Sequence, residues 1–68
     1  MLTDALIGKT LAHKEKENLG IIEQHELKPD ESVLLQLTNF KAPLIFTKTD
    51  VETMLKGNPT GDGFFLKP

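Results

Sequence analysis

The two histidines of this sequence, His13 and His25, suggest a metal site that would include Glu23 or Glu26. A metal site needs three or four such ligands converging within about 2.0–2.3 Å of the ion. Glu23 and His25 share one face of a predicted strand. Strand pairing around a turn at 14–19, however, places His25 opposite Gly8 and away from His13. The spacing therefore predicts two surface or rim histidines and no metal site.

Residues for nucleophilic or acid–base catalysis are poorly placed as well. Ser32, the single serine, stands beside Glu31 in a predicted turn, without the glycines of a nucleophile elbow around it. Asp50 and Glu52 are typical of a helix N-terminus, whereas paired catalytic carboxylates need a concave pocket. The stretch 57–63 is rich in glycine but lacks the Gly-Lys-Ser/Thr ending and the following helix of a phosphate-binding loop. We expect no enzyme activity, no catalytic residue and no cofactor.

Charge and composition narrow the partners that the chain could bind. Its 68 residues include eight lysines and no arginine, and the formal net charge is -2. Arginine supplies most bidentate contacts to phosphates and guanine edges, so nucleic-acid binding is not expected. The alternative is a weak nucleic-acid-associated module of transcription or repair, with a basic edge made of Lys9, Lys14, Lys16 and Lys28. Interspersed glutamates neutralise much of that edge.

Size and the absence of cysteine constrain stability. We predict a single domain over residues 1–68, whose core contributes a margin on the order of 3–5 kcal/mol. No disulfide can add to it, because the chain has no cysteine. Either the hydrophobic core is packed well enough to stabilise so small a domain, or a partner covers part of its apolar surface. No apolar run reaches the length of a membrane span and residues 1–4 do not begin a signal peptide, so we expect a cytoplasmic protein.

The clearest element is one short helix, at about 50–56. Thr49 and Glu52 form a Thr-x-x-Glu capping box, which satisfies two free N–H groups at a helix N-terminus. Gly57 is suited to the left-handed position that ends a helix. The apolar side chains at helical spacing are Val51, Met54 and Leu55.

Alternation with a period of two predicts strands before this helix. One strand follows a turn at 28–31, and its core-facing residues are Val33, Leu35 and Leu37. A strand over 20–27 places Ile21 and Ile22 on opposite faces, and a third, short strand covers 44–46. After the turn-rich segment 57–63, the residues Phe64 to Lys67 form either a closing strand or a flexible tail.

The N-terminal part of the chain fits two descriptions. A strand over 7–13 places Ile7 and Leu11 on one face and is followed by a charged loop over 14–18. The alternative is a helix, which the run of lysines and glutamates favours. We prefer the strand, because Gly8 would lie inside the helix and its apolar residues make no continuous stripe.

A series of short motifs runs through residues 6–56. They are Ile7-Gly8-Lys9, His13-Lys14, Gly20-Ile21-Ile22, the alternating stretch 33–37, and Phe46. This series resembles the small Tudor-like and KOW-like β-barrels, which are accessory modules of bacterial transcription and repair proteins. Leu11 stands where those barrels carry valine and His13 where they carry histidine, but one of their two hairpin glycines is missing here. The resemblance implies a mostly β, five-stranded barrel with one short helix before the last strand, which grips a larger protein through an exposed strand face.

These observations together predict a non-catalytic binding or accessory module that acts through protein–protein interaction. The partner is either an unidentified protein or a second copy, in which case the chain is a structural homodimer subunit. The candidate anchors for the partner are Phe40, Phe64, Phe65 and Leu66. Phe40 lies in a connecting loop, so its ring either anchors a partner or folds back to plug the open end of the barrel.

Overall fold

Five strands and two short helices make up the part of the chain that the computed structural model describes, residues 2–67, with the side chains of residues 4–67. The first element is a 3-10 helix, Leu2–Leu6. The others, in chain order, are β1 (Thr10–His13), β2 (Lys16–Leu27), β3 (Ser32–Leu37), β4 (Leu44–Thr47), α1 (Lys48–Leu55) and β5 (Phe64–Lys67).

The strands form one antiparallel sheet in the order β4-β3-β2-β1-β5. The long strand β2 pairs with β1 through its first half and with β3 through its second half, while β5 returns to pair with β1. The prediction of a mostly β domain with one helix before the last strand is confirmed. No backbone ladder joins the edge strands β4 and β5 within residues 2–67, so the sheet is not closed by hydrogen bonds.

One face of the sheet carries the core. The residues predicted to face it from β3 are at most 1% exposed: Val33, Leu35 and Leu37. Ile22 is buried while Ile21 is 46% exposed, as predicted for neighbours that point to opposite faces of a strand. Helix α1 packs across this core and contacts β3, β4, β5 and the 3-10 helix, burying Val51 and Met54. Each fully buried side chain of this size contributes about 1.5–3 kcal/mol.

Helix α1 begins earlier than the sequence predicted. Its N-cap is Thr47, which has extended dihedral angles (φ -84°, ψ 159°) and whose Oγ1 accepts a hydrogen bond from the Asp50 N–H at 3.0 Å. Thr49 lies inside the first turn, where its carbonyl accepts a hydrogen bond from Thr53 Oγ1 at 3.0 Å. The predicted capping box at Thr49 is therefore wrong. The reason is that β4 ends at Thr47 and runs into the helix without connecting residues.

The end of α1 is as predicted. Gly57 has φ +88°, a conformation that side chains with a Cβ rarely adopt. Its N–H donates to the Met54 carbonyl at 3.0 Å, and the Asn58 N–H donates to the Thr53 carbonyl at 3.1 Å. These two bonds satisfy carbonyls that the last turn of the helix leaves without partners.

The N-terminal part of the chain follows the strand description only from Thr10 onward. Gly8 has φ +86°, and the Lys9 N–H donates to the Leu6 carbonyl at 3.1 Å, so the chain turns here instead of extending. As a result Leu6 enters the core with no exposed surface, and Ile7 is 44% exposed. The predicted pairing of Ile7 with Leu11 on one face is wrong.

The charged segment 14–18 is not a loop either. Lys14 and Glu15 form a tight turn, and β2 begins directly after it at Lys16. The Glu15 N–H donates to His13 Nδ1 at 3.1 Å, which holds the turn. The pairing register of β1 with β2 shifts between Leu11 and His13, so β2 carries a bulge opposite this part of β1.

Candidate partner-binding groove

The two edge strands meet through their side chains, although no ladder joins them. The Phe46 ring of β4 packs edge to face against the Phe64 ring of β5, with centroids 5.0 Å apart and an angle of 89°. On its other side Phe64 contacts the His13 ring of β1, at 4.7 Å and 67°. The sheet is therefore curled, because strands at its opposite edges come within van der Waals distance.

An open, mostly apolar groove lies beside this aromatic contact. Its volume is about 280 Å³, and the residues that line it are His13, Lys16, Leu19, Phe40, Leu44 and Phe64. We call it the Phe40–Phe64 groove. The four hydrophobic residues are only partly buried, and they pack against the core on one side. Two of the four predicted anchors, Phe40 and Phe64, thus line the same groove. They are far apart in the sequence, because Phe40 lies in the loop 39–43 and Phe64 lies in β5.

The loop that carries Phe40 is held to β3. The Phe40 N–H donates to the Leu37 carbonyl at 3.3 Å, and Gln36 Nε2 donates to the Phe40 carbonyl at 2.7 Å. The ring packs against the core and at the same time lines the groove. A fixed backbone beneath a half-exposed ring reduces the entropy lost when that ring contacts a partner.

His13 contributes an apolar ring surface to the groove and no free polar atom. Its Nε2 lies 2.7 Å from the Asp62 carbonyl, which can only accept, so Nε2 carries the proton. Its Nδ1 accepts from the Glu15 N–H. Both ring nitrogens are thereby used, and the histidine joins β1 to the tight turn and to the loop before β5.

Lys16 is the second ionisable side chain in the lining of the groove. It is exposed and pairs with His13 across β1 and β2. Among the described side chains Lys28 forms an ion pair with Glu26 and His25 contacts Asp4, so Lys16 forms no ion pair with that part of the chain. Its ammonium is available at the rim, while its aliphatic stem can cover the apolar wall.

The other two predicted anchors, Phe65 and Leu66, do not line this groove. They border a separate depression of about 470 Å³, together with Lys14, Gly57, Pro59, Thr60, Gly61 and Gly63. Thr60 shapes that depression, because its N–H donates to the Phe64 carbonyl at 2.8 Å and its Oγ1 accepts from the Phe64 N–H at 3.1 Å. The predicted set of anchors is split between two surfaces.

The histidines and glutamates considered for a metal ion lie apart. His25 faces Leu35 across β2 and β3, not Gly8, because Gly8 bonds to Ile22 further back along β2. His25 Nε2 lies 2.9 Å from Asp4 Oδ1, and its Nδ1 is buried with no partner among the described residues. No three histidine, cysteine, aspartate or glutamate side chains cluster as metal ligands in the described part of the chain.

Sequence reasoning missed Leu19, Leu44 and Lys16 as lining residues. Lys16 lies opposite His13 across the tight turn, whereas the positions of Leu19 and Leu44 beside Phe64 depend on long-range strand pairing that no local motif encodes. The separation of Phe64 from Phe65 did have a local signal, because adjacent residues on a strand point to opposite faces. No helix among residues 2–67 has the length and apolar character needed to cross a membrane.

No protein-family model matches the sequence, no curated protein is significantly similar to it, and no solved structure matches its fold significantly.

Proposed function

We propose that this protein is a non-catalytic binding module of the cytoplasm that holds an apolar segment of a protein partner in the Phe40–Phe64 groove. The observation that carries the proposal is an open groove whose lining is almost entirely hydrophobic and whose aromatic rings are held from beneath. Half-buried aromatic side chains on a fixed backbone are typical anchors of protein interfaces.

The dimensions of the groove favour a peptide side chain over a small-molecule substrate. Its volume of about 280 Å³ lies below the roughly 300–1,000 Å³ of ligand pockets. The lining also offers no acid–base pair, because both nitrogens of His13 bond to the backbone. A non-catalytic role is consistent with this lining, since general acid–base chemistry needs a side chain that is free to transfer a proton.

We further propose that the curled sheet is a small barrel of the Tudor-like kind. Two features support this: the last strand returns to pair with the first, and Phe46 and Phe64 bridge the gap between the edge strands. The Phe46–Phe64 contact would then close the side of the barrel that no ladder closes. The groove would then lie at the seam, where the edges approach each other.

Panning a display library of random 12-residue peptides tests the binding role. The target is the immobilised protein, and the Phe40→Ala variant serves as the counter-target. The matched control is Phe65→Ala, which removes a half-buried phenylalanine from the other depression. Enriched peptides should bind the wild type and Phe65→Ala, and bind Phe40→Ala about tenfold more weakly. Circular dichroism of each variant establishes that it is folded.

Two results would overturn the binding role. One is that no peptide sequence is enriched over the counter-target, and the other is that the enriched peptides bind the folded Phe40→Ala variant as well as the wild type.

A homodimer is the second candidate, because the edge strand β4 has features that favour pairing with another strand. Ile45 in this strand is 71% exposed, and the strand has no charged residue. Natural edge strands are usually protected by charges, prolines or bulges. Light scattering over a dilution series tests this candidate: a dimer that Ile45→Lys converts to a monomer supports it, and a wild-type monomer at every concentration removes it.

A further inference from the structure

The ionisable residues that line the Phe40–Phe64 groove restrict which side chains a bound peptide segment can have. Of its two ionisable lining residues, His13 bonds through both nitrogens to Asp62 and Glu15 and presents only its ring. Lys16 is exposed and forms no ion pair with any residue in the described range. A ligand in the groove therefore meets hydrophobic surface and one positive charge at the rim.

A bound apolar side chain would bring this charge under partial cover. The ammonium of Lys16 would then lose some of its water, which costs free energy unless an anion replaces that water. A carboxylate is the anion that a peptide provides, and the low-polarity wall strengthens its attraction to the lysine. The net charge of the protein is -2, so a general attraction to acidic peptides is not expected and the preference must be local.

We infer that the segment held in the groove is an acidic-apolar peptide. An aromatic or aliphatic side chain packs between Phe40 and Phe64, and an aspartate or glutamate beside it contacts Lys16 Nζ. This inference rests on the proposed function, because it names the partner chemistry of the same groove.

Two biased peptide libraries test the inference. Both hold a random apolar centre; one flanks it with aspartate and glutamate, and the other flanks it with lysine and arginine. They are panned in parallel on the wild type, on Lys16→Glu and on Lys9→Glu. Lys9→Glu is the matched control, because it makes the same change in net charge at an exposed residue that does not line the groove.

The wild type and Lys9→Glu should both enrich acidic peptides over basic ones, and Lys16→Glu should reverse that order. For individual acidic peptides we expect Lys16→Glu to weaken binding by about fivefold or more, the range of a rim ion pair turned into a repulsion. Equal losses in both lysine variants would overturn the inference, as would apolar peptides that bind without any preference for acidic flanks. In that second case the inference fails but the binding role of the groove stands. If neither library yields enriched peptides, the binding role itself is contradicted.

Discussion

Phe46 and Phe64 lie on opposite edge strands of the sheet, and their rings pack edge to face with centroids 5.0 Å apart. This contact joins β4 to β5 where no backbone ladder does. It also positions the Phe64 ring against His13, so one aromatic side chain serves both the core and the groove. The stability of the curled sheet and the shape of the groove are thereby linked.

A double-mutant cycle measures the energy of the contact between Phe46 and Phe64. Phe46→Leu and Phe64→Leu each keep a hydrophobic side chain, so the variants should remain folded even though a domain of this size has a small stability margin. We expect a coupling energy of about 0.5–1.5 kcal/mol between them in chemical denaturation, the range for edge-to-face aromatic pairs. The control cycle combines Phe46→Leu with Phe65→Leu and should be additive within about 0.5 kcal/mol. Equal coupling energies in both cycles would show that the contact between Phe46 and Phe64 does not stabilise the domain specifically.

His13 should contribute to stability through its two ring nitrogens. Removing both hydrogen bonds in His13→Ala should lower the free energy of unfolding by about 1–3 kcal/mol. His13→Gln retains a donor near the position of Nε2, and His13→Asn retains an acceptor near that of Nδ1, so each should restore part of the loss. Long-range ¹H–¹⁵N spectra should place the proton of the neutral ring on Nε2. A ring protonated on Nδ1 instead would contradict the hydrogen bond from Glu15.

The turn between β2 and β3 contains a strained residue. The Glu31 N–H donates to the Lys28 carbonyl at 2.9 Å around Pro29, as the predicted turn requires, and Glu31 itself has φ +70°. Glu31→Gly should therefore raise the free energy of unfolding by about 0.5–1 kcal/mol, since glycine adopts this conformation without strain. Glu23→Gly, at an exposed strand position, should lower it by roughly 0.5–1 kcal/mol. A loss at both positions would contradict the strain at Glu31.

Acid should weaken the same turn through Asp30. The Ser32 hydroxyl donates to Asp30 Oδ1 at 2.6 Å and the Ser32 N–H at 3.0 Å, and these bonds hold the pKa of the Asp30 carboxyl below its ordinary value of 3.8. A lowered pKa in the folded state means that the stabilisation is present above pH 3.8 and is lost as the pH falls through the folded pKa. Ser32→Ala should raise the pKa of Asp30 in an NMR titration and make acid unfolding less steep. Ser32→Thr keeps the hydroxyl and should leave both unchanged.

Local patterns predicted only those elements and ends whose causes lie within a few residues. The alternation of Val33, Leu35 and Leu37 identified the core face of β3, and Gly57 identified the end of α1. The helix start was misplaced because Thr47 and Thr49 are both suitable caps. The end of β4 decides between them, and that end depends on pairing with β3.

The groove could be predicted only in part. Phe40 and Phe64 were two of the four predicted anchors, but nothing local indicates that they share a surface with Leu19 and Leu44. That arrangement follows from long-range pairing, in which β5 returns to β1 and the edge strands approach each other. Phe65 was assigned to the same anchor group although strand alternation turns it away from Phe64.

The most direct test of binding in the Phe40–Phe64 groove is an NMR structure determination of the protein bound to a peptide that the library panning enriches. If the peptide lies in the Phe40–Phe64 groove, one of its apolar side chains should give intermolecular nuclear Overhauser effects to the rings of Phe40 and Phe64 and to the methyl groups of Leu19 and Leu44. Contacts confined to Phe65 and the 57–63 segment, or to Ile45 on the β4 edge, would contradict binding in this groove.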